Sequence, residues 1–201
     1  DAAQTRVHDV TTSEASMTLR YAPGESFVNS KQRRVPVSLD APVFTLTHAM
    51  GFKGVLGGEY NFNRTEASIW KRFWLPASWG KIDCSVKAGA EWNTVPFPLL
   101  ILPEANLSYI TQRETFCLIN NMEFLNDRFA SMSISYDMNG KLFNRIPLLK
   151  NLKWREMFRV RALWGTLTDK NNPFKSSNPD LFRFPTRDGK FTSFVMDPKV
   201  P

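Results

Sequence analysis

Residues 81–92 alternate between apolar and polar side chains without a break, and this constrains the fold more than any other stretch. Ile82, Cys84, Val86, Ala88, Ala90 and Trp92 fall on one face, and Lys81, Asp83, Ser85, Lys87, Gly89 and Glu91 on the other. A period of two marks an extended strand, because successive side chains point to opposite sides of the pleat. Strands of water-soluble domains run to about 5–6 residues. A strand tilted across a bilayer needs about 9–11, and this run is long enough to be one.

The pattern recurs along the chain. Ala15, Met17, Leu19 and Tyr21 alternate with Glu14, Ser16, Thr18 and Arg20, and Pro23-Gly24-Glu25 follows as a turn. Over residues 129–138, Ala130, Met132, Ile134, Tyr136 and Met138 alternate with Ser131, Ser133, Ser135 and Asp137. Residues 115–124 place Phe116, Leu118, Met122 and Phe124 opposite Asn121 and Glu123. Over 155–164, Phe158, Val160, Ala162 and Trp164 oppose Arg155, Arg159 and Arg161. Segments 43–50 and 59–75 are rich in Thr, Phe, Tyr and Trp and are also expected to be strands. An eighth begins near Phe191, and only 148–154 suggests a short helical turn.

Alternation alone fits a soluble sandwich as well as a membrane barrel. Two features favour the barrel. Aromatic rings sit at strand ends, at Tyr21, Trp70, Trp74, Trp79, Trp92 and Trp164, where interfacial girdles place them. The polar faces mix Lys, Arg, Asp, Glu and Ser, which suits a wet lumen crossed by charge pairs. The composition, 42% hydrophobic, reads as ordinary only because alternating strands average out. A membrane-spanning helix is excluded, since the longest apolar block, 95–102, is broken by Pro96 and Pro98. The chain starts at Asp1 without Met and stops soon after residues 191–196, so it is expected to be an internal piece of something longer.

A net charge of +7 raises the question of nucleic acid, but the basic residues are spread through strands and turns and no recognition motif accompanies them. The two cysteines, Cys84 and Cys117, fall on opposite faces of the expected strands, so no disulfide is expected between them. His8 and His48 lack paired-ligand spacing, and neither metal nor cofactor is expected. The Gly-rich run 51–58 matches neither phosphate-binding fingerprint and reads as a turn. Asn63-Arg64-Thr65 and Asn106-Leu107-Ser108 fit the glycosylation pattern, which occurs by chance. With no nucleophile elbow and no Ser with a His partner, enzyme activity is not expected.

From about Gly80 the chain resembles the BamA-like barrel of an uncharacterised outer-membrane protein family from Bacteroidota. The residues that carry the resemblance are Lys87-Ala88-Gly89 with Trp92, residues 95–100, residues 106–109, Glu114-Thr115-Phe116, Met122-Glu123-Phe124, residues 146–150 and Arg155-Glu156. It extends over about residues 59–173. The resemblance implies a surface-antigen-type barrel with a wall of about 16 strands, often preceded by a carboxypeptidase-regulatory-like β-sandwich. It also implies that residues 95–114 form a long loop folded back into the lumen. There Arg113 would pair with Glu123 or Asp137 on the wall, although the Arg-Gly-aromatic tip of the wider BamA and TamA superfamily is absent. The equal alternative is a surface loop with Arg113 solvated.

The reading is therefore an all-β, antiparallel transmembrane β-barrel, with residues 1–201 forming about half of one barrel domain. The expected localisation is the bacterial outer membrane. Tyr21, Trp74, Trp79, Trp92 and Trp164 are the expected interface aromatics. The expected partners are the lipid bilayer and other outer-membrane proteins or lipoproteins, and the expected work is protein assembly or translocation, or a gated pore. A TonB-dependent-type nutrient receptor and a soluble β-sandwich binding module remain as alternatives.

Overall fold

A computed structural model describes residues 10–29, 31–37, 40–106, 115–119, 124–172 and 193–199. Among the described residues nine strands follow one another: β1 (Glu14–Tyr21), β2 (Phe27–Asn29), β3 (Arg34–Pro36), β4 (Val43–Gly51), β5 (Phe62–Trp74), β6 (Lys81–Glu91), β7 (Arg128–Asp137), β8 (Met157–Thr166) and β9 (Ser193–Lys199). The one α-helix among the described residues, α1 (Pro147–Lys150), is a single turn.

Seven strands form one sheet in the order β1-β4-β5-β6-β7-β8-β9, and every pairing is antiparallel. β2 and β3 make a separate two-stranded ribbon between β1 and β4. Sheet order therefore follows chain order, as hairpin connections dictate. The connections 22–42, 75–80 and 138–156 lie at what we term the lower end, and 52–61 and 92–127 at the upper end. β1 and β9 are the sheet's edges.

Cross-strand register carries each face from strand to strand. Arg72 lies opposite Asp83, Asp83 opposite Ser135, and Ser135 opposite Arg159. On the other face Leu19, Leu46 and Ala67 fall in one row, and Cys84, Ile134 and Val160 in another. The sheet is thus polar on one side and apolar on the other, as the alternation requires.

The buried core lies on the polar side. One cluster joins Phe62, Val95, Leu100, Leu125 and Leu167, and a second joins Phe116, Ile119 and Leu163 with Phe129 and Ala105 packed against it. Both are built where the connection 92–127 folds back over the upper half of the sheet. The apolar side has no such cover among the described residues. Met17 is 64% exposed, Val86 44% and Val160 42%, in company with Leu46, Ile69, Met132 and Phe158.

Two sequence expectations are corrected. Among the described residues of 115–124 none pairs as a strand of the sheet: Phe116 makes one isolated bridge to Ala105, and 117–119 are irregular. Phe116 and Ile119, three residues apart and so out of step with a period of two, join Leu163 in one buried cluster instead of entering a ladder. The strand expected over 59–75 begins only at Phe62, since 59–61 complete the turn from β4.

Candidate functional site: the polar face and its covering segment

Alternation delivers Arg64, Glu66 and Arg72 of β5 and Lys81, Asp83, Lys87 and Glu91 of β6 to the polar face, and antiparallel register sets opposite charges side by side. Arg72 grips Asp83 with two parallel bonds, Nε to Oδ1 at 2.6 Å and Nη2 to Oδ2 at 2.9 Å. Its guanidinium lies 5.4 Å from the Trp70 ring and 5.6 Å from the Trp74 ring, so it is held by charge and by two aromatic faces. Lys81 approaches Asp137 at 3.8 Å.

Higher on the same face the charges turn to the covering segment. Arg64 Nη2 donates to the Leu99 carbonyl at 2.6 Å, while its Nε lies 3.5 Å from the buried Glu91 carboxylate. Lys87 Nζ lies 3.0 Å from Glu104 of the segment and 3.7 Å from Glu66 of the wall. The Arg161 guanidinium donates to the Thr115 carbonyl. Each of three strands, β5, β6 and β8, thus sends one cation toward the connection 92–127. The glycines of this face make room for the packing above them. A Cβ at Gly89 would meet the Phe129 ring, and one at Gly165 would meet the Asn126 side chain.

A second fastening lies at the upper end. Asp127 is fully buried, and its carboxylate accepts from Thr168 N at 3.2 Å, from Asn171 Nδ2 at 3.1 Å and from the Thr168 hydroxyl. Asn171 Oδ1 in turn accepts from Val95 N at 3.0 Å, and its Nδ2 reaches the Asn93 carbonyl at 3.2 Å. The start of the covering segment, the start of β7 and the exit of β8 are locked by one carboxylate and one amide. A buried polar acceptor with its partners satisfied is stable only as a complete set.

Residues 1–175 match the C-terminal domain of DUF5686, a family of unknown function, and so most of the chain is accounted for. The chain belongs to the DUF5686 family. No curated protein and no solved structure matches it.

Within this DUF5686 domain the residues singled out from sequence are distributed as follows. Arg113 and Glu123 lie outside the described residues. Asp137 stands on the polar face as expected, but at its lower end, beside Lys81 and accepting from Asn139 N at 2.9 Å. Of the aromatics, Tyr21 closes the apolar face of β1 at the lower end and packs against Phe44, with ring centroids 6.2 Å apart. Trp79 sits in the turn at the same end, where its carbonyl accepts from the Tyr136 hydroxyl at 3.1 Å. Trp92 and Trp164 lie on the apolar face at the upper end, and Trp92 Nε1 donates to Thr65 Oγ1 at 2.9 Å. Trp74 differs from the others. Its register opposite Lys81 places it on the polar face, beside Arg72.

His48, also on the apolar face near the upper end, bonds Thr65 Oγ1 through Nδ1 at 2.9 Å. Cys84 and Cys117 form no disulfide. No cluster of His, Cys, Asp or Glu suited to a metal occurs among the described residues. Sequence reasoning placed Lys87 and Arg161 on polar faces read only as lumen-like, and it assigned no face to Arg64. It missed Glu104, Asp127 and Asn171, which sit in irregular stretches where no periodicity marks them.

Proposed function

We propose that the DUF5686 C-terminal domain is an arc of a transmembrane β-barrel in the bacterial outer membrane, closed at rest by its own β6–β7 connection. The observation that carries this reading is the inverted dressing of the sheet. Its apolar side is broad and open, while its polar side is ion-paired and covered by the chain itself. In water such an arrangement would be costly, because monomeric soluble proteins rarely expose contiguous apolar patches beyond about 300–600 Å². In a bilayer the same surface is solvated, and the charged face becomes the wall of a lumen.

Strand length supports the reading: β4, β6, β7 and β8 run to 9, 11, 10 and 10 residues, close to the ~9–11 that a tilted spanning strand requires. The polar groups of the apolar side also lie toward its ends, with His48, Thr65 and Trp92 at the upper end and Lys71, Tyr21 and Tyr136 at the lower. That leaves an apolar band between two interfacial zones. A barrel built this way has its closing strands beyond β1 and β9, on a wall of the BamA-like kind with about 16 strands. A carboxypeptidase-regulatory-like domain would precede it, as the resemblance implies. Its work would be on other outer-membrane proteins, in assembly or translocation, with the covering segment as the gate.

The test is to fractionate cells making the full-length protein, then to run the detergent-solubilised material with and without boiling on a denaturing gel. An outer-membrane band that shifts on heating is the expected result. Full solubility without detergent, with no heat shift, would overturn the proposal and favour a soluble β-sandwich.

A further inference from the structure

The connection between β7 and β8, residues 138–156, has a composition that the barrel reading does not call for. It exposes Leu142, Ile146, Leu148, Leu152 and Trp154, with Leu148 83% and Trp154 57% exposed. Interleaved with them are Lys141, Arg145, Lys150, Lys153 and Arg155. The segment's one acid, Glu156, is buried, and its carboxylate accepts from the Phe143 N–H inside the connection. The outward surface therefore shows apolar, cationic and a few amide side chains, and no acid.

The connection is also held in a fixed place. Lys141 Nζ donates to the Ala77 carbonyl, and its ammonium lies 4.2 Å from the Trp79 ring centroid. Trp79 in turn accepts from Tyr136, which lies on the apolar face of β7. Phe143 and Trp154 meet edge to face with centroids 6.4 Å apart, closing the connection on itself around α1. The surface thus continues the apolar side of the sheet at its lower end.

We infer that residues 138–156 form an interfacial anchor that sets Leu148, Leu152 and Trp154 among the acyl chains. Its lysines and arginines then meet the phosphates of anionic phospholipids in the leaflet at the lower end. Apolar side chains flanked by basic ones, lying at headgroup depth, are what such a surface recognises. Charge complementarity selects this occupant: a face with no exposed acid is repelled by its own copy and attracted by a negative leaflet. The inference rests on the barrel reading, and its test separates the two.

The full-length protein, with Cys84 and Cys117 replaced by Ala, would carry a nitroxide at Leu148→Cys or, on the wall, at Val86→Cys. Only variants that keep the wild-type heat shift would be reconstituted, in phosphatidylcholine vesicles with and without phosphatidylglycerol. The expected result is that oxygen reaches both labels and a water-soluble nickel chelate reaches neither when phosphatidylglycerol is present. Lys150→Gln with Lys153→Gln should then shift the residue-148 label toward water by about tenfold or more. If the chelate reaches residue 148 but not residue 86, the anchor is wrong and the barrel stands. If it reaches both, the barrel reading fails and takes the anchor with it. Dipolar broadening at residue 148 that vanishes on dilution with unlabelled protein would make the face a contact between copies and overturn the inference.

Discussion

Asp127 is fully buried and takes three donors, two from Thr168 and one from Asn171. Removing the carboxylate leaves those donors in a dry site, so Asp127→Ala should cost about 3 kcal/mol, read as a lowered urea midpoint of the folded protein in detergent. Asp127→Asn, which keeps one acceptor, should cost less. A smaller effect arises at the lower end, where Arg20 clasps Glu25 at 2.7 and 2.8 Å. The hydrogen bond from Arg20 holds the Glu25 carboxyl below the usual carboxylate range. Because the folded value is depressed, the clasp stabilises the turn above the unfolded value near about 4.3 and is lost as pH falls through the folded one. Amide protection over residues 22–29 should therefore drop on acidification below pH ~4, and Arg20→Gln should flatten that dependence. Neither Asp127 nor Asn171 is legible in sequence, because each sits in a polar, aperiodic stretch and acquires its role from a contact made far along the chain.

Strands were the readable elements. β1, β6, β7 and β8 follow the alternation closely, because successive residues of each strand fall in turn on the polar and the apolar side of the sheet. The same logic misread the described residues 115–119, where Phe116 and Ile119 join Leu163 in a buried cluster above the sheet; apolar residues packed onto a sheet can pass for positions within it. The extent of the 92–127 connection was partly visible in Pro96, Pro98 and Pro103, which exclude a central strand. Its three cationic ties were not. As an element, the segment depends on them, and Glu104→Lys would place two cations together where Lys87 now meets a carboxylate at 3.0 Å. On the barrel reading proposed above, the wild-type protein should conduct poorly in planar bilayers and Glu104→Lys should open more often, with Glu104→Gln between them. Equal conductance in all three would show that the Lys87–Glu104 tie does not hold the segment shut.

Across the whole molecule, the two sides of the sheet predict opposite tolerance. Val86→Lys places a charge on the apolar side and should cost about 2–4 kcal/mol near mid-depth, seen as loss of heat-resistant folded protein in a refolding titration. Ser85→Lys, its neighbour on the polar side, should fold nearly as well as wild type. Chain order and sheet order coincide from β4 to β9, so each strand can dock on the one made just before it. The Asp127 network breaks that sequence. Its carboxylate is set in place with β7, while Thr168 and Asn171 arrive only after β8 has been laid down. Until β8 is in place the Asp127 carboxylate lacks these donors, and Val95 lacks its Asn171 acceptor. The exit of β8 thus acts as a completion step: the covering segment gains its last fastening only after the strand that follows β7 has been laid down.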